Sequence, residues 1–173
     1  MNKDDMIKYK NKINELKERF ENYMKFGVEY NFIGKEYLED YKKDMAQKSV
    51  SELSKELKEL NDAKSIDFNA EVTYEKDKDL KDRISNLEND IKEIKSDSEI
   101  NKICKKMDYR EEEDYRNQQN KLEEDFENGL NDVEDLLEDA EALQKDEKIN
   151  DEKIEIVEDM LKNKDVKIDD DDE

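Results

Sequence analysis

The longest regular pattern of apolar positions lies in the last third of the chain, between residues 109 and 144. Mostly apolar residues recur there in alternating steps of four and three, which is the spacing of one packed face of an α-helix. The pattern continues through four heptads and therefore predicts one long helix with an apolar stripe. The stripe consists of Tyr115, Gln119, Leu122, Phe126, Gly129, Val133, Leu136, Ala140 and Leu143.

Shorter stripes predict three helices upstream of the long one. They span about residues 3–26, 35–61 and 78–95, and an offset in the second stripe predicts a kink or break near Lys48. The chain has no proline and only three glycines, so few positions interrupt a helix. The packing residues predicted in the first and third helices are Ile13, Leu16, Phe20, Leu80, Ile84, Leu87, Ile91 and Ile94, and Leu130 and Leu137 widen the apolar face of the long helix.

Residues 66–74 follow a different period. Apolar and polar residues alternate there, which is the pattern of a β-strand. A short strand or hairpin is one interpretation, and an extended segment lying across helices is the other, because a single strand has no edge to pair with. A strand at this place could also add to the sheet of a partner.

These patterns predict a mainly all-α chain, an elongated and coiled-coil-like helical bundle. We expect a near-neutral bundle part over residues 1–107, a long acidic helix over 97–146, called here the spine helix, and a short helix with a disordered acidic tail over 147–173. Lys12 and Arg19 of the first helix could pair with aspartates of the spine helix if the two run antiparallel. Such exposed pairs set orientation more than stability.

The net charge of −21 is concentrated at one end of the chain, with −2 over residues 1–107 and −19 over residues 108–173. Residues 108–144 carry −12 over about 55 Å of helix, or one net charge per roughly 4.6 Å. Duplex DNA carries one per about 1.7 Å, a density that only two such helices side by side would approach. The asymmetry indicates an interaction surface and argues against direct binding to nucleic acid or to an anionic membrane.

Acidic residues surround the stripe, and two tyrosines flank the acidic segment that begins the long helix. Aromatic side chains often anchor a protein partner. For Tyr115 there is a second interpretation, as the first residue of the packing stripe. The candidate partner-binding residues are Tyr109, Glu111, Glu112, Glu113, Asp114, Tyr115, Glu123, Glu124, Asp125 and Glu127.

The sequence lacks the residues that several kinds of catalysis and ligand binding require. The chain has no histidine, which excludes Ser-His-Asp and Cys-His catalysis and His-ligated metal sites. Cys104 is the only cysteine, so no internal disulfide can form. No glycine-rich phosphate loop is present, and the acidic end lacks the ligand spacing of a calcium loop. We therefore predict no catalytic residue, no metal site and no cofactor.

The sequence predicts a non-enzymatic, acidic helical interaction protein. The repeated stripes favour an oligomeric assembly or structural factor, of the kind associated with a phage virion or a scaffold. Its expected partners are proteins, among them copies of itself and proteins with a basic surface. The alternative is a nucleic-acid mimic that inhibits a DNA- or RNA-handling enzyme by occupying its basic groove, and a third interpretation is a regulatory adaptor.

Two negative observations bear on location. No apolar segment approaches the roughly 20 residues of a membrane span, and the first twenty residues are charged throughout, unlike a secretion signal. We expect a protein of the cytoplasm or of a virion interior.

Overall fold

In a computed structural model, the described backbone covers residues 1–26 and 32–171, and the described side chains cover residues 1–25 and 35–164. Within these ranges the chain forms α-helices and no strand, which confirms the all-α prediction. Among the residues that the structure describes, no helix combines the length and the apolar character that crossing a membrane requires. The helices are α1 (Lys3–Phe26), α2 (Phe32–Ala46), α3 (Val50–Ile66), α4 (Ala70–Glu93), α5 (Asp97–Cys104) and α6 (Tyr109–Asp171).

Capping side chains explain where several of these helices begin. The break predicted near Lys48 is present, and Ser49 caps the start of α3 with a capping box. The Ser49 hydroxyl accepts a hydrogen bond from the Glu52 backbone N–H, and the Glu52 carboxylate accepts one from the Ser49 backbone N–H. Ser96 before α5 and Asp108 before α6 each accept a hydrogen bond from the backbone N–H three residues further on. These side chains satisfy N–H groups that the first turn of a helix leaves without a partner.

The strand considered for residues 66–74 is not found. Ile66 ends α3 and Ala70 begins α4. The Asn69 side-chain oxygen accepts hydrogen bonds from two backbone N–H groups in the first turn of α4, at 3.0 and 3.3 Å. The alternating apolar residues do not line one buried face, since Ile66 and Tyr74 are 76% and 69% exposed. Asn69, a polar position in the alternating pattern, caps α4 instead of belonging to a strand. The strand prediction was wrong for this reason.

Residues 97–146, which were predicted to form one spine helix, belong to two separate helices. α5 ends at Cys104, and α6 begins only at Tyr109, after the Asp108 cap. α6 then continues for 63 residues, to Asp171. The separate short helix and tail predicted after residue 147 are therefore part of α6 as far as residue 171, and the last two residues lie outside the described part of the chain.

The chain divides into two compact units, each assembled from segments far apart in sequence. Unit 1 comprises Met1–Phe26 and Glu75–Ala140, and unit 2 comprises Gly27–Tyr74 and Glu141–Glu173. Unit 1 thus contains α1, most of α4, α5 and the first part of α6. Unit 2 contains α2, α3, the first residues of α4 and the remainder of α6.

In unit 1, α1 runs parallel to α6 and antiparallel to α4. Tyr9 packs edge-on against Phe126 with ring centroids 5.5 Å apart, and Lys12 pairs with Glu134 at 3.0 Å. Residue numbers therefore increase in the same direction along α1 and α6. Along α4 the order is reversed, because Lys17 pairs with Glu88 and the Tyr23 hydroxyl donates to Asp77. The antiparallel arrangement expected for α1 and the spine helix is therefore wrong.

The core of unit 1 is apolar and draws on all four of its helices. It contains every packing residue predicted for the first and third helices. Its buried members are Ile13, Leu16, Phe20, Tyr23, Leu80, Ile84, Leu87, Ile91, Ile94, Ile100, Cys104, Phe126, Leu130, Val133 and Leu137.

The buried face of α6 in unit 1 is rotated relative to the predicted stripe. Phe126 and Val133 are buried as the heptads require, but the positions that alternate with them are Leu130 and Leu137, at 2% and 0% exposure. Each of these leucines lies one residue after the predicted stripe position. Gln119 belongs to both patterns and is buried.

The remaining predicted stripe positions lie at the edge of the unit 1 core or beyond it. Leu122 and Leu136 are 38% and 37% exposed. Ala140 and Leu143 are half-buried. The predicted stripe therefore describes one edge of the packed face rather than its centre.

Unit 2 repeats the same combination of helix directions. The Tyr37 hydroxyl accepts from Lys153 at 2.6 Å, and the carbonyl of Lys48 accepts from Lys164, so α2 runs parallel to α6. α3 runs antiparallel to α6, because Lys48 just before α3 contacts Lys164 whereas Lys64 near the end of α3 pairs with Asp151. The core consists of Tyr41, Met45, Leu53, Leu60 and Val157.

Gly129 provides a test of how closely α6 approaches α4. A Cβ added at Gly129 would lie 3.4 Å from Leu87 Cδ2, an ordinary contact distance. Because glycine inside a helix is about 1 kcal/mol less favourable than alanine, we expect Gly129→Ala to raise the free energy of unfolding by up to about 1 kcal/mol. Gly129→Val adds two further carbons to a Cβ that is already in contact with Leu87, and it should lower the free energy of unfolding. Urea unfolding followed by circular dichroism measures both, and the prediction is wrong if Val is tolerated better than Ala.

Candidate partner-binding surface

Six of the ten predicted partner-binding residues point from α6 into solvent. Tyr109, at the first position of the helix, is 82% exposed. None of the six side chains forms a hydrogen bond or an ion pair with the rest of the described chain. The six are Tyr109, Glu111, Glu113, Asp114, Glu124 and Asp125.

Two of the remaining candidates hold neighbouring helices in place. The Glu112 carboxylate accepts from Arg116 at 3.0 Å, and Arg116 donates in turn to Asn101 of α5 at 3.1 Å. Glu127 accepts from the hydroxyl of Tyr9 on α1 at 2.9 Å. Burial and this hydrogen bond both raise the pKa of Tyr9 above its ordinary value. Glu112 and Glu127 are thus structural residues of unit 1.

Glu123 forms part of a charged clamp around the α-amino group of Met1. That group donates to Asp97 Oδ1 at 2.6 Å and pairs with Glu123, while the Asp97 backbone N–H donates to the Met1 carbonyl at 2.8 Å. Burial lowers the pKa of the amino group, but the two carboxylates more than compensate and raise it above 8.0. The clamp joins α1, α5 and α6, and no periodic pattern in the sequence indicates it.

Tyr115 is a packing residue in unit 1. It is half-buried, one turn before the buried Gln119. The Tyr115 hydroxyl and the Gln119 side-chain oxygen are both enclosed without a hydrogen-bond partner among the described residues. This placement agrees with the interpretation of Tyr115 as the first residue of the stripe.

The outward face of α6 in unit 1 carries the row of aspartates that an antiparallel α1 could have paired with. Asp125, Asp132 and Asp139 recur every seven residues, about 10.5 Å apart along the axis, and all three are exposed. Because α1 runs parallel to α6, Lys12 contacts Glu134 instead. The row therefore remains on the surface.

The acidic residues of unit 1 are concentrated on α6. Residues 109–140 contain 13 acidic and 3 basic residues, whereas α1 contains 5 acidic and 7 basic residues. Carboxylates that share a helix face and lack partners produce a continuous negative potential. The face can therefore attract a positively charged macromolecule.

Unit 2 contains a groove between α2 and α6 with a volume of about 460 Å³. Its existence depends on how two helices distant in sequence pack, so no local pattern could indicate it. Apolar side chains form its floor, and mostly acidic side chains form its rims. The floor consists of Leu38, Ile156 and Met160, and the rims consist of Glu39, Lys42, Glu152, Glu155, Asp159 and Asn163.

No group of three or more Cys, Asp or Glu side chains in the described residues is placed to hold a metal ion. Comparison with protein-family models, with curated proteins and with solved structures gave no match. The α6 face and the unit 2 groove are therefore interpreted from their own chemistry.

The Met1 clamp leads to a prediction about alkaline pH. An ammonium whose pKa is higher in the folded chain than in the unfolded chain stabilises the fold fully below the unfolded pKa, near 8, and that contribution disappears as pH rises through the folded pKa. We expect the free energy of unfolding to fall as pH rises above about 8. Asp97→Asn should lower stability at neutral pH and reduce this alkaline decline.

Urea unfolding at several pH values measures both effects. Asp114→Asn is the matched control, because Asp114 is exposed and is not one of the carboxylates that bind the Met1 amino group. If the free energy of unfolding falls equally steeply above pH 8 in the two variants, the clamp does not contribute to the alkaline loss of stability.

Proposed function

We propose that this chain is a non-enzymatic, acidic helical interaction protein that acts as an assembly factor by binding a basic protein surface along α6. One observation carries the proposal. In unit 1 the apolar residues of α6 face inward, while the carboxylates on its opposite side are exposed and have no partner in the described chain.

Long-range electrostatics makes such a face suited to recognition. Each exposed ion pair contributes only a few tenths of a kcal/mol. Several carboxylates of one sign act together, steering a basic partner and discriminating against acidic ones. The exposed acids of α6 in unit 1 extend from Glu111 to Asp139, about 42 Å along the helix axis. That length suits an extended basic surface on another protein.

The arrangement supports a basic partner more than a second copy of this chain. The apolar stripes that favoured self-association in the sequence analysis are largely used inside the two units. On α6 in unit 1, the large side chains with apolar surface that remain exposed are Tyr109, Leu122 and Leu136. Two α6 faces brought together would also place like charges opposite each other.

A nucleic-acid mimic is the second candidate, and the regular row of Asp125, Asp132 and Asp139 favours it. Residues 109–140 carry a net charge of −10 over about 48 Å, or one per roughly 4.8 Å. A single DNA strand carries one per about 3.4 Å and the duplex one per about 1.7 Å. The face is thus more dilute than either, and mimicry requires a second acidic surface beside it.

The test reverses exposed acids while leaving the structural ones in place. Glu112, Glu123 and Glu127 are kept because they bind Arg116, Met1 and Tyr9. The test variant carries Glu113→Lys, Asp114→Lys, Glu124→Lys and Asp125→Lys. The control variant carries the same charge change on α1 and α4, through Glu18→Lys, Glu21→Lys, Asp82→Lys and Glu93→Lys, all at exposed positions.

Each protein is used for affinity capture from the cell that naturally produces it, over a series of salt concentrations and with or without competing duplex DNA. We expect a basic partner that the test variant recovers at least about tenfold less well and that salt releases. The control variant should behave like the parent chain.

Displacement of the partner by duplex DNA would indicate mimicry, whereas indifference to DNA would support the assembly role. Equal recovery by the test variant and the parent chain, at the same salt, would contradict binding through the acidic face.

A further inference from the structure

The groove in unit 2 exposes apolar surface that α2 and α3 leave uncovered. Ile156 and Met160 are only partly buried, although both also touch the unit 2 core. Ile156 directly precedes Val157, which is completely buried, and consecutive helix residues point about 100° apart. The apolar arc of α6 here is therefore wider than the surface its two neighbours cover. A helix with so wide an apolar face ordinarily packs against a further element.

Charge surrounds this apolar floor on both sides. Glu39 lies on the α2 side, and Glu152, Glu155 and Asp159 lie on the α6 side. Lys42 is the one basic side chain among the lining residues, which leaves a net charge of −3. The α6 rim is acidic, whereas Glu39 and Lys42 balance each other on the α2 rim. The groove as a whole therefore complements a ligand that is basic and carries apolar residues along one side.

We propose that this groove binds an amphipathic, basic α-helix from a partner protein. A helix lying between α2 and α6 would place apolar residues at i, i+3, i+4 and i+7 on the floor and lysines or arginines against the rims. It would also convert the three helices of unit 2 into a four-helix arrangement.

Charge and packing disfavour other occupants. A nucleic acid would meet four carboxylates. A helix from a second copy of this chain would have to withdraw apolar residues already buried in its own cores. The inference goes beyond the proposed function, because it assigns a second binding surface and names its partner as a basic helix. It uses a surface in unit 2, so it can fail while binding along α6 in unit 1 holds, and the reverse.

The probe is a fluorescein-labelled synthetic peptide of 18 lysine and leucine residues, with leucines at the helical spacing given above. A peptide of the same composition in scrambled order is its control. Binding to the full chain is followed by fluorescence anisotropy, and methyl signals of Ile156 and Met160 are followed by NMR. We expect the amphipathic peptide to bind at least about tenfold more tightly than the scrambled one and to shift both methyl signals.

Two variants and a matched control locate the site. Met160→Gln keeps the side-chain length but removes an apolar contact on the floor. Glu39→Gln/Glu155→Gln/Asp159→Asn neutralises exposed rim positions, so it keeps the test decisive if Met160→Gln unfolds. The control, Glu18→Gln/Glu21→Gln/Asp82→Asn, makes the same charge change at exposed positions of α1 and α4, outside both proposed binding surfaces.

Each groove variant should weaken peptide binding at least about tenfold, while the control should change it less than about threefold. Circular dichroism confirms that each variant is folded. Equal binding of the two peptides, or an equal loss in the control and rim variants, would show unspecific attraction to acid and overturn the proposal. Unchanged methyl signals of Ile156 and Met160 in the presence of the bound peptide would overturn it as well.

Discussion

The packing of one face of α6 against α1 and α4 is the interaction on which unit 1 depends. Phe126 and Leu137 are 1% and 0% exposed, and burying a side chain of this size contributes roughly 1.5–3 kcal/mol. Only 33% of the residues are hydrophobic while 49% are charged, so the chain has few such side chains to place. Because they are used inside the unit, the outward side of α6 is left to carboxylates.

The same constraint explains the two surfaces to which a binding role is assigned. In unit 1 the buried face of α6 is closed by its neighbours, and what remains outside is a row of acids without partners in the described chain. In unit 2 the apolar arc of α6 exceeds what α2 and α3 cover, and Ile156 and Met160 are left partly open beneath acidic rims. Both surfaces therefore select a positively charged partner, one by charge alone and the other by charge together with apolar contact.

Periodicity predicted the helices because each buries a stripe at helical spacing, but it could not choose among apolar edges of similar quality. On α6, leucines flank Phe126 and Val133 on both sides, and the packing of two neighbouring helices selects Leu130 and Leu137 over Leu122 and Leu136. Helix direction was inferred from weak ion pairs and was wrong for α1. The Met1 clamp and the unit 2 groove join segments distant in sequence, so no local pattern contains them.

The central claim, that α6 turns its Leu130 side inward and its aspartates outward, can be tested by cysteine labelling. In a Cys104→Ala background, single cysteines are introduced by Leu122→Cys, Asp125→Cys and Leu130→Cys, and their reaction rates with a thiol reagent are compared. We expect the first two to react at least about tenfold faster than the third, because a closed core must open before labelling. If Leu130→Cys reacts as fast as Leu122→Cys, the inward face of α6 has been assigned wrongly and the acidic face loses its structural basis.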